Sequence, residues 1–111
     1  MKKPKKITKK KLLKLERIKI RKQFEAWAKQ VKERDENKCV ICGRIDLINS
    51  HHIIPREVHA FRFIIENGIS VCPNHHNFSR DISCHNNPFT FYLWLMNNRP
   101  EQFKFLKEKI T

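Results

Sequence analysis

Residues that bind metal ions are concentrated in the middle of this 111-residue chain. Three of the four cysteines and five of the six histidines lie between positions 39 and 76. They include two short pairs, Cys39-x2-Cys42 and Cys72-x2-His75. Two such pairs that face each other can surround one ion with three thiolates and one imidazole, the tetrahedral ligand set of a structural zinc. The spacing therefore predicts a Zn²⁺ ion bound by Cys39, Cys42, Cys72 and His75.

The remaining histidines could carry chemistry. His51 and His52 are adjacent, so on an extended strand their side chains point to opposite faces. One imidazole can bind a divalent ion while the other takes a proton from water, a division of labour that suits phosphodiester cleavage. A helix after a second strand could bring His76 to the same ion. The side-chain carbonyl of Asn67 could accept a hydrogen bond from His52 and fix its tautomer.

The cysteines also allow other interpretations. Cys84 is the remaining thiol and could replace His75 as the fourth zinc ligand. A redox-active CxxC pair would need a thioredoxin-like βαβ context, which the sequence does not indicate. The chain shows no secretory signal and no apolar run near the ~18 residues of a membrane span. We therefore expect a cytoplasmic, reducing compartment without a membrane partner, where cysteines serve as thiols or metal ligands.

Charge is distributed unevenly along the chain. There are 24 Lys or Arg against 11 Asp or Glu, a formal net charge of +13. Residues 1–23 hold twelve of the basic residues and one acid, a net of +11, whereas residues 24–111 carry only +2. Such a segment favours a polyanion, either nucleic acid or an anionic membrane surface. We expect a basic extension over residues 1–22 and a domain over 23–111, with nucleic-acid contacts from Lys9, Lys10, Lys11, Lys14, Arg17, Arg21 and Lys22.

The hydrophobic pattern predicts an α+β fold. Residues 12–36 form a helix, because Ile20, Phe24, Trp27 and Val31 recur on one face. Strands are expected over residues 45–54 and 69–71, separated by a short helix or loop. A helix that begins at Pro73 would carry His75 and His76. Two further helices are expected over residues 89–96 and 101–110, with core contacts from Phe91, Leu95, Phe103 and Leu106.

Taken together, the motifs resemble those of the HNH endonucleases, in the zinc-containing branch that includes small phage and bacterial proteins. The resemblance covers about residues 34–100. It includes Arg34-Asp35 before the first cysteine pair and the Ser83-x-His85-x2-Pro88-Phe89 and Trp94-Leu95 patterns after the last motif. The central matches are His51-His52-Ile-Ile-Pro, Asn67-x4-Cys72 and Cys72-x2-His75-His76. It implies a ββα-metal core with a structural zinc knuckle, flanked by an N-terminal basic helix and C-terminal helices.

The resemblance also implies residue roles. His51 takes a metal-ligand position that is Asp in many relatives, and His76 takes a second one. His52 takes the general base and Asn67 the residue that orients it. The fourth zinc position, often Cys in relatives, is His75 here, so His75 and His76 could exchange roles.

A third metal-binding His follows the last motif by one helical turn in some relatives, and Arg80 occupies that place here. His85 is therefore the candidate third ligand of the catalytic ion. His59 has no motif partner, and we expect no role for it.

These expectations describe a metal-dependent endonuclease that nicks or cuts DNA. It would contain structural Zn²⁺ and a catalytic divalent ion such as Mg²⁺, Mn²⁺ or Ni²⁺. One alternative is a zinc-stabilised DNA-binding module without activity. Another is a nuclease component that works only with phage or host proteins in a packaging or recombination complex.

Overall fold

The computed structural model describes residues 6–111. Residues 1–5, where the expected basic extension starts, lie outside the described residues. Within these described residues, three α-helices and two strands follow one another: α1 (Lys9–Arg34), β1 (Asn49–His52), β2 (Gly68–Val71), α2 (Pro88–Asn98) and α3 (Pro100–Ile110). The predicted α+β class is confirmed, since the helices accompany a small two-stranded antiparallel sheet.

Helix α1 is one continuous element of 26 residues. It begins at a Thr8 cap, whose side chain accepts a hydrogen bond from the Lys11 amide. This start lies three residues before the predicted one, because the cap satisfies an amide that the first turn leaves without a partner. Trp27 and Val31 are buried, whereas the part before position 18 is exposed. The basic segment and the packed segment are therefore two halves of the same helix.

The two strands pair over four residues each, with His51 opposite Ile69 and His52 opposite Gly68. β1 is shorter than the predicted 45–54 strand, since β2 offers only four residues to pair with. Gly68 lies directly under α1. A Cβ atom there would come within 2.2 Å of Val31 Cγ2 and 2.7 Å of Trp27 Cζ2. The missing side chain therefore lets the helix pack against the strand backbone.

A buried carboxylate joins the end of α1 to the rest of the domain. Asp35 accepts hydrogen bonds from the guanidinium groups of Arg34 and Arg99 and from the Ser70 amide. Burial alone would raise its pKa, but the two arginines outweigh this and lower it. α1, β2 and the start of α3 are held together at this point.

The main core lies between the sheet and the C-terminal helices. Phe91, Leu95 and Leu106 are buried there as predicted, and Phe103 is partly buried against them. Instead of the expected helix after Pro73, the chain makes a single wide helical turn at Asn74–Phe78. The segment between the strands contains two short 3-10 turns, at His59–Phe61 and Ile65–Asn67.

Candidate metal centres

Three cysteine sulfurs converge at one point, which we call the sulfur cluster. The Sγ atoms of Cys39, Cys42 and Cys72 lie within 4.8 Å of one another, and those of Cys42 and Cys72 are 3.7 Å apart. Two thiolates of a tetrahedral zinc, each about 2.3 Å from the ion, are roughly 3.8 Å apart. The sulfur cluster could therefore hold a metal ion such as zinc.

A tight turn after α1 positions the first two sulfurs. The Cys39 amide donates to the carbonyl of Arg44, and the Gly43 amide donates to the carbonyl of Cys39. Gly43 has a φ of 80°, a conformation that glycine adopts without strain. The Val40 amide donates to the Ser70 carbonyl, so the turn is fixed to β2, which Cys72 follows.

The electrostatics of the sulfur cluster favour a cation. Burial opposes ionisation of Cys39, but backbone amides of the cluster, led by that of Cys42, outweigh it and lower its pKa. The pKa of Cys42 is raised, first by burial and also by the neighbouring sulfurs of Cys39 and Cys72. Several thiolates in one place repel one another, and a bound cation removes that repulsion.

The structure does not bring the expected fourth zinc ligand into this group. Among residues 6–111 the group contains only the three cysteines. His75 Nδ1–H donates to the carbonyl of Ile82 at 2.8 Å, which leaves the lone pair on Nε2, the form in which imidazole binds metals. Cys84 is buried, and burial followed by the charge of Cys39 raises its pKa to about 12, so it stays a thiol. His75 remains the predicted fourth ligand.

Three imidazoles, those of His51, His76 and His85, converge at a second point, and we call them the histidine cluster. His76 Nε2 lies 3.3 Å from His51 Nδ1 and 3.1 Å from His85 Nε2. Nitrogens that bind one ion at about 2.1 Å are roughly 3.0–3.4 Å apart, depending on the coordination number. One imidazole nitrogen offers a single hydrogen or a single lone pair. A shared cation can therefore accept lone pairs from all three rings, which hydrogen bonds among the rings cannot do. The cluster could bind a metal.

Backbone pairing explains how His85 joins this group. The amides of Cys84 and His85 donate to the carbonyls of His75 and His76, which brings the loop back to the wide turn. The two histidines that could have exchanged roles, His75 and His76, lie in different surroundings. His76 lies in the histidine cluster, while His75 faces Ile82.

Two histidines of the cluster, His51 and His76, favour their neutral form. Burial, followed by the neighbouring imidazoles, lowers the pKa of His51 to about 3. Burial and then His85 also lower the pKa of His76. Neutral imidazole is the species that binds a metal, so both residues are ready to do so at neutral pH.

His52 points away from the histidine cluster, as predicted from the alternation of the strand. Its ring stacks on Trp27, with centroids 3.8 Å apart and planes 9° from parallel. Its Nε2–H donates to the carbonyl of Arg62 at 2.9 Å, which leaves the lone pair on Nδ1. Burial lowers its pKa, the Arg62 carbonyl opposes this, and the charge of Arg56 adds to the lowering. His52 is thus a neutral imidazole with a fixed ring and one basic nitrogen.

Asn67 does not orient His52 directly, which corrects the predicted contact. The Asn67 side chain is fully buried, accepts from the Ile54 amide at 2.6 Å and donates to the carbonyls of Ile54 and Phe61. It thereby closes the segment between the strands, whose Arg62 carbonyl holds His52. The sequence could not reveal this carbonyl or the Trp27 stack, since a backbone acceptor has no residue signature and Trp27 fitted the core stripe.

One cavity of about 470 Å³ connects these groups. It is lined by His52 and by all three members of the histidine cluster, and Arg56 and Glu57 stand at its wall. His59 is exposed and is not among the lining residues. The cavity therefore places a basic imidazole and a set of metal-binding imidazoles against the same volume.

The seven residues expected to contact nucleic acid all lie on α1 and are all exposed.

None of the helices in the described part of the chain combines the length and apolar character that a membrane-crossing helix needs. Comparison of the chain with protein-family models, with characterised proteins and with solved structures found no match.

Proposed function

We propose that this chain is a metal-dependent endonuclease of the HNH type that hydrolyses phosphodiester bonds in DNA. In this proposal β1, β2 and the turn at Asn74–Phe78 form the ββα-metal core. The observation that supports it most is the shared cavity, whose lining includes both His52 and the histidine cluster. Metal-assisted hydrolysis can use this combination of a general base and an ion-binding group.

The residues of the cavity divide the work. An ion held by His51, His76 and His85 would polarise a phosphate oxygen and stabilise the departing 3′-oxygen. His52 takes a proton from water at Nδ1, because its Nε2–H is committed to the Arg62 carbonyl. Trp27 holds the plane of the His52 ring, which keeps the basic nitrogen in one direction.

The sulfur cluster supports the same proposal through stability. It ties the turn after α1 to the end of β2, close to the wide turn that carries His76. A chain of this size has a small core, and a bound metal can supply much of the missing folding energy. Zn²⁺ would therefore hold together the elements that carry the catalytic residues.

DNA is the proposed substrate because of the charge of α1. Residues 1–23, which include the exposed half of α1, carry +11 of the net charge of +13, and such a segment binds a polyanion with a strong dependence on salt. A zinc-stabilised DNA-binding module without activity would share this helix and the sulfur cluster. It would not require a free basic nitrogen on His52 beside a second metal group.

Plasmid cleavage separates these two functions. Supercoiled DNA is incubated with the wild type in Mg²⁺, Mn²⁺ or Ni²⁺, with and without chelator. We expect nicked or linear products with at least one ion, and a loss of about 10²–10⁴-fold in His52→Ala, the usual contribution of a general base. His59→Ala is the matched control, since His59 is an exposed histidine outside the cavity.

Full activity in His52→Ala would contradict the proposed role of that residue. A wild type that binds DNA but is inert with every ion would favour the DNA-binding module. Activity that is restored only by a phage or host protein would favour a component of a larger complex.

A further inference from the structure

The basic residues of α1 do not all face the same direction. Lys10, Lys14, Arg17 and Arg21 recur at intervals of three or four, so they form one row along the helix, which we call the phosphate row. At about 100° per residue, all four point within about 40° of the direction of Ala28 further along the helix. A second set of basic residues before Gln23, measured in the same way, points about 100° or more away, and consists of Lys9, Lys11, Lys19 and Lys22.

Contacts at the packed end of α1 show what this direction faces. The Ala28 carbonyl accepts a hydrogen bond of 2.8 Å from Ser50 Oγ, and Ser50 lines the catalytic cavity. Phe24, which follows Arg21 by three residues, lies with its ring centroid 5.7 Å from that of His52, edge to face. The phosphate row is therefore on the side of α1 that carries the cavity.

Two arginines extend this charge from the helix to the cavity. The guanidinium carbons of Arg56 and Arg62 each lie 5.7 Å from the centre of the Phe24 ring. Arg62 also lies 4.9 Å from the Phe63 ring. Stacking on an aromatic face holds a guanidinium in place while its N–H groups stay free to contact a phosphate. Arg56 is itself part of the cavity wall.

The length of the row fits a DNA backbone. Lys10 and Arg21 are eleven residues apart, a distance of about 16 Å along a helix. This corresponds to about five base pairs of duplex at ~3.4 Å each. The row has the length to follow a DNA strand that leads away from a phosphate bound in the cavity. The two arginines at the cavity continue it.

We propose that the phosphate row, together with Arg56 and Arg62, binds the DNA backbone over about five base pairs on one side of the cleavage site. The part of this inference that concerns the cleavage site rests on the proposed function. The part that concerns DNA binding does not. The second set of lysines attracts DNA through its charge but makes no direct phosphate contact. The proposal assigns the electrostatic contribution of α1 to one face of the helix. A simple count of charges would assign it to every face equally.

Two triple variants with equal loss of charge test the assignment. One replaces Lys14, Arg17 and Arg21 by Gln, and the other replaces Lys11, Lys19 and Lys22 by Gln, a residue of similar helix propensity. Both use the full chain with zinc bound, and circular dichroism checks that α1 is intact. Binding to a fluorescent 30-base-pair duplex is measured by anisotropy over a range of salt, without added divalent ion, so that no cleavage occurs.

We expect the row variant to raise Kd at least about tenfold more than the second variant. Each phosphate contact contributes about 0.9 to the slope of log K against log salt, so the row variant should flatten it by about 2–3. The second variant should change the slope by less than about 1, that is, by less than one contact. Equal effects of the two variants on Kd and slope would overturn the proposal.

A parallel titration with vesicles of phosphatidylserine and phosphatidylcholine tests the other polyanion. We expect weak binding that both variants reduce to the same degree. Tighter binding to vesicles than to duplex, lost selectively in the row variant, would assign the row to a membrane surface and overturn the DNA assignment.

Substrate length supplies a second readout. In a duplex with one fixed cut, removal of base pairs on the side bound by the row should slow wild-type cleavage, while the same removal on the other side should not. The row variant should lose this asymmetry. If the wild type proves inert with every ion, the proposed function fails while the binding comparison still decides the row. If the wild type cleaves but the two variants bind alike, the row assignment alone fails.

Discussion

The sulfur cluster and the histidine cluster use the same geometry in different surroundings. In each, three ligand atoms lie within 4.8 Å of one another. Two of the three cysteines are buried, and the cluster joins a turn to a strand. The histidines line a cavity of about 470 Å³, and His85 is exposed. Ligand spacing alone therefore does not separate a structural ion from a catalytic one, whereas access to an open volume does.

The strongest test of this difference is the loss of a sulfur. Cys72→Ser should remove zinc and lower the free energy of unfolding by on the order of 3 kcal/mol or more, a fall in Tm of about 12 °C or more. Elemental analysis and thermal denaturation provide the measurements. Cys84→Ala is the control, because Cys84 lies outside the sulfur cluster, and it should retain one zinc per chain. Equal zinc content in the two variants would show that the sulfur cluster does not bind it.

Removal of a histidine should weaken binding of the second metal while leaving zinc content and stability nearly unchanged. His76→Ala should lose at least about 100-fold in affinity for Mn²⁺ or Ni²⁺, because even an outer-shell partner of a ligand contributes 10–100-fold. Zinc content should be unchanged, and the free energy of unfolding should fall by less than about 1 kcal/mol. Calorimetric titration and denaturation measure these quantities. A Tm loss as large as that of Cys72→Ser would remove the distinction between the two clusters.

Acid should act on the histidine cluster through stability. The pKa of His51 is about 3 in the folded chain, against about 6.5 in an unfolded one. Between these values the unfolded chain binds a proton that the folded chain does not. Stability is thus fully present above pH 6.5 and falls as the pH is lowered, by up to about 1.4 kcal/mol per pH unit.

Urea unfolding between pH 6.5 and 5, without a second metal, measures this slope. His51→Asn should flatten it, whereas His59→Asn should not. An identical slope in all three proteins would mean that His51 titrates normally in the fold.

The smallest expected effect concerns the ring under His52. Trp27→Phe keeps an aromatic surface but reduces its area, and an aromatic pair contributes about 0.5–1.5 kcal/mol. We expect cleavage about 2–10-fold slower, with both metal contents unchanged. Trp94→Phe is the control, since Trp94 packs against the core rather than on His52. A shift of the pH–rate profile in Trp27→Phe, absent from the control, would identify a positioning role rather than a loss of stability.

Sequence spacing predicted the parts of the two clusters that depend on local geometry. Cysteines with two residues between them form a knuckle in many contexts. The alternation of side chains along a strand placed His51 and His52 on opposite faces. The predicted fourth ligand is different, because the direction of His75 depends on a hydrogen bond to Ile82 that no short pattern encodes. His85 reached the cluster only through backbone pairing of its loop with the wide turn.

The role of Asn67 was the clearest departure from the sequence-based prediction. A buried amide satisfies whichever backbone groups surround it, and here these belong to Ile54 and Phe61. The groups that do fix His52 are a carbonyl and an indole ring. The carbonyl leaves no trace in the amino-acid sequence, and the indole was explained equally well by its place in a helical stripe.

The missing side chain at position 68 links the packing of α1 to the setting of His52. Gly68 pairs with His52 across the sheet and lies beneath the indole on which His52 stacks. Any larger residue there would push the helix away from the strand and carry the stacked ring with it. A substitution at this one position would therefore disturb the packing of α1 and the setting of the His52 ring together.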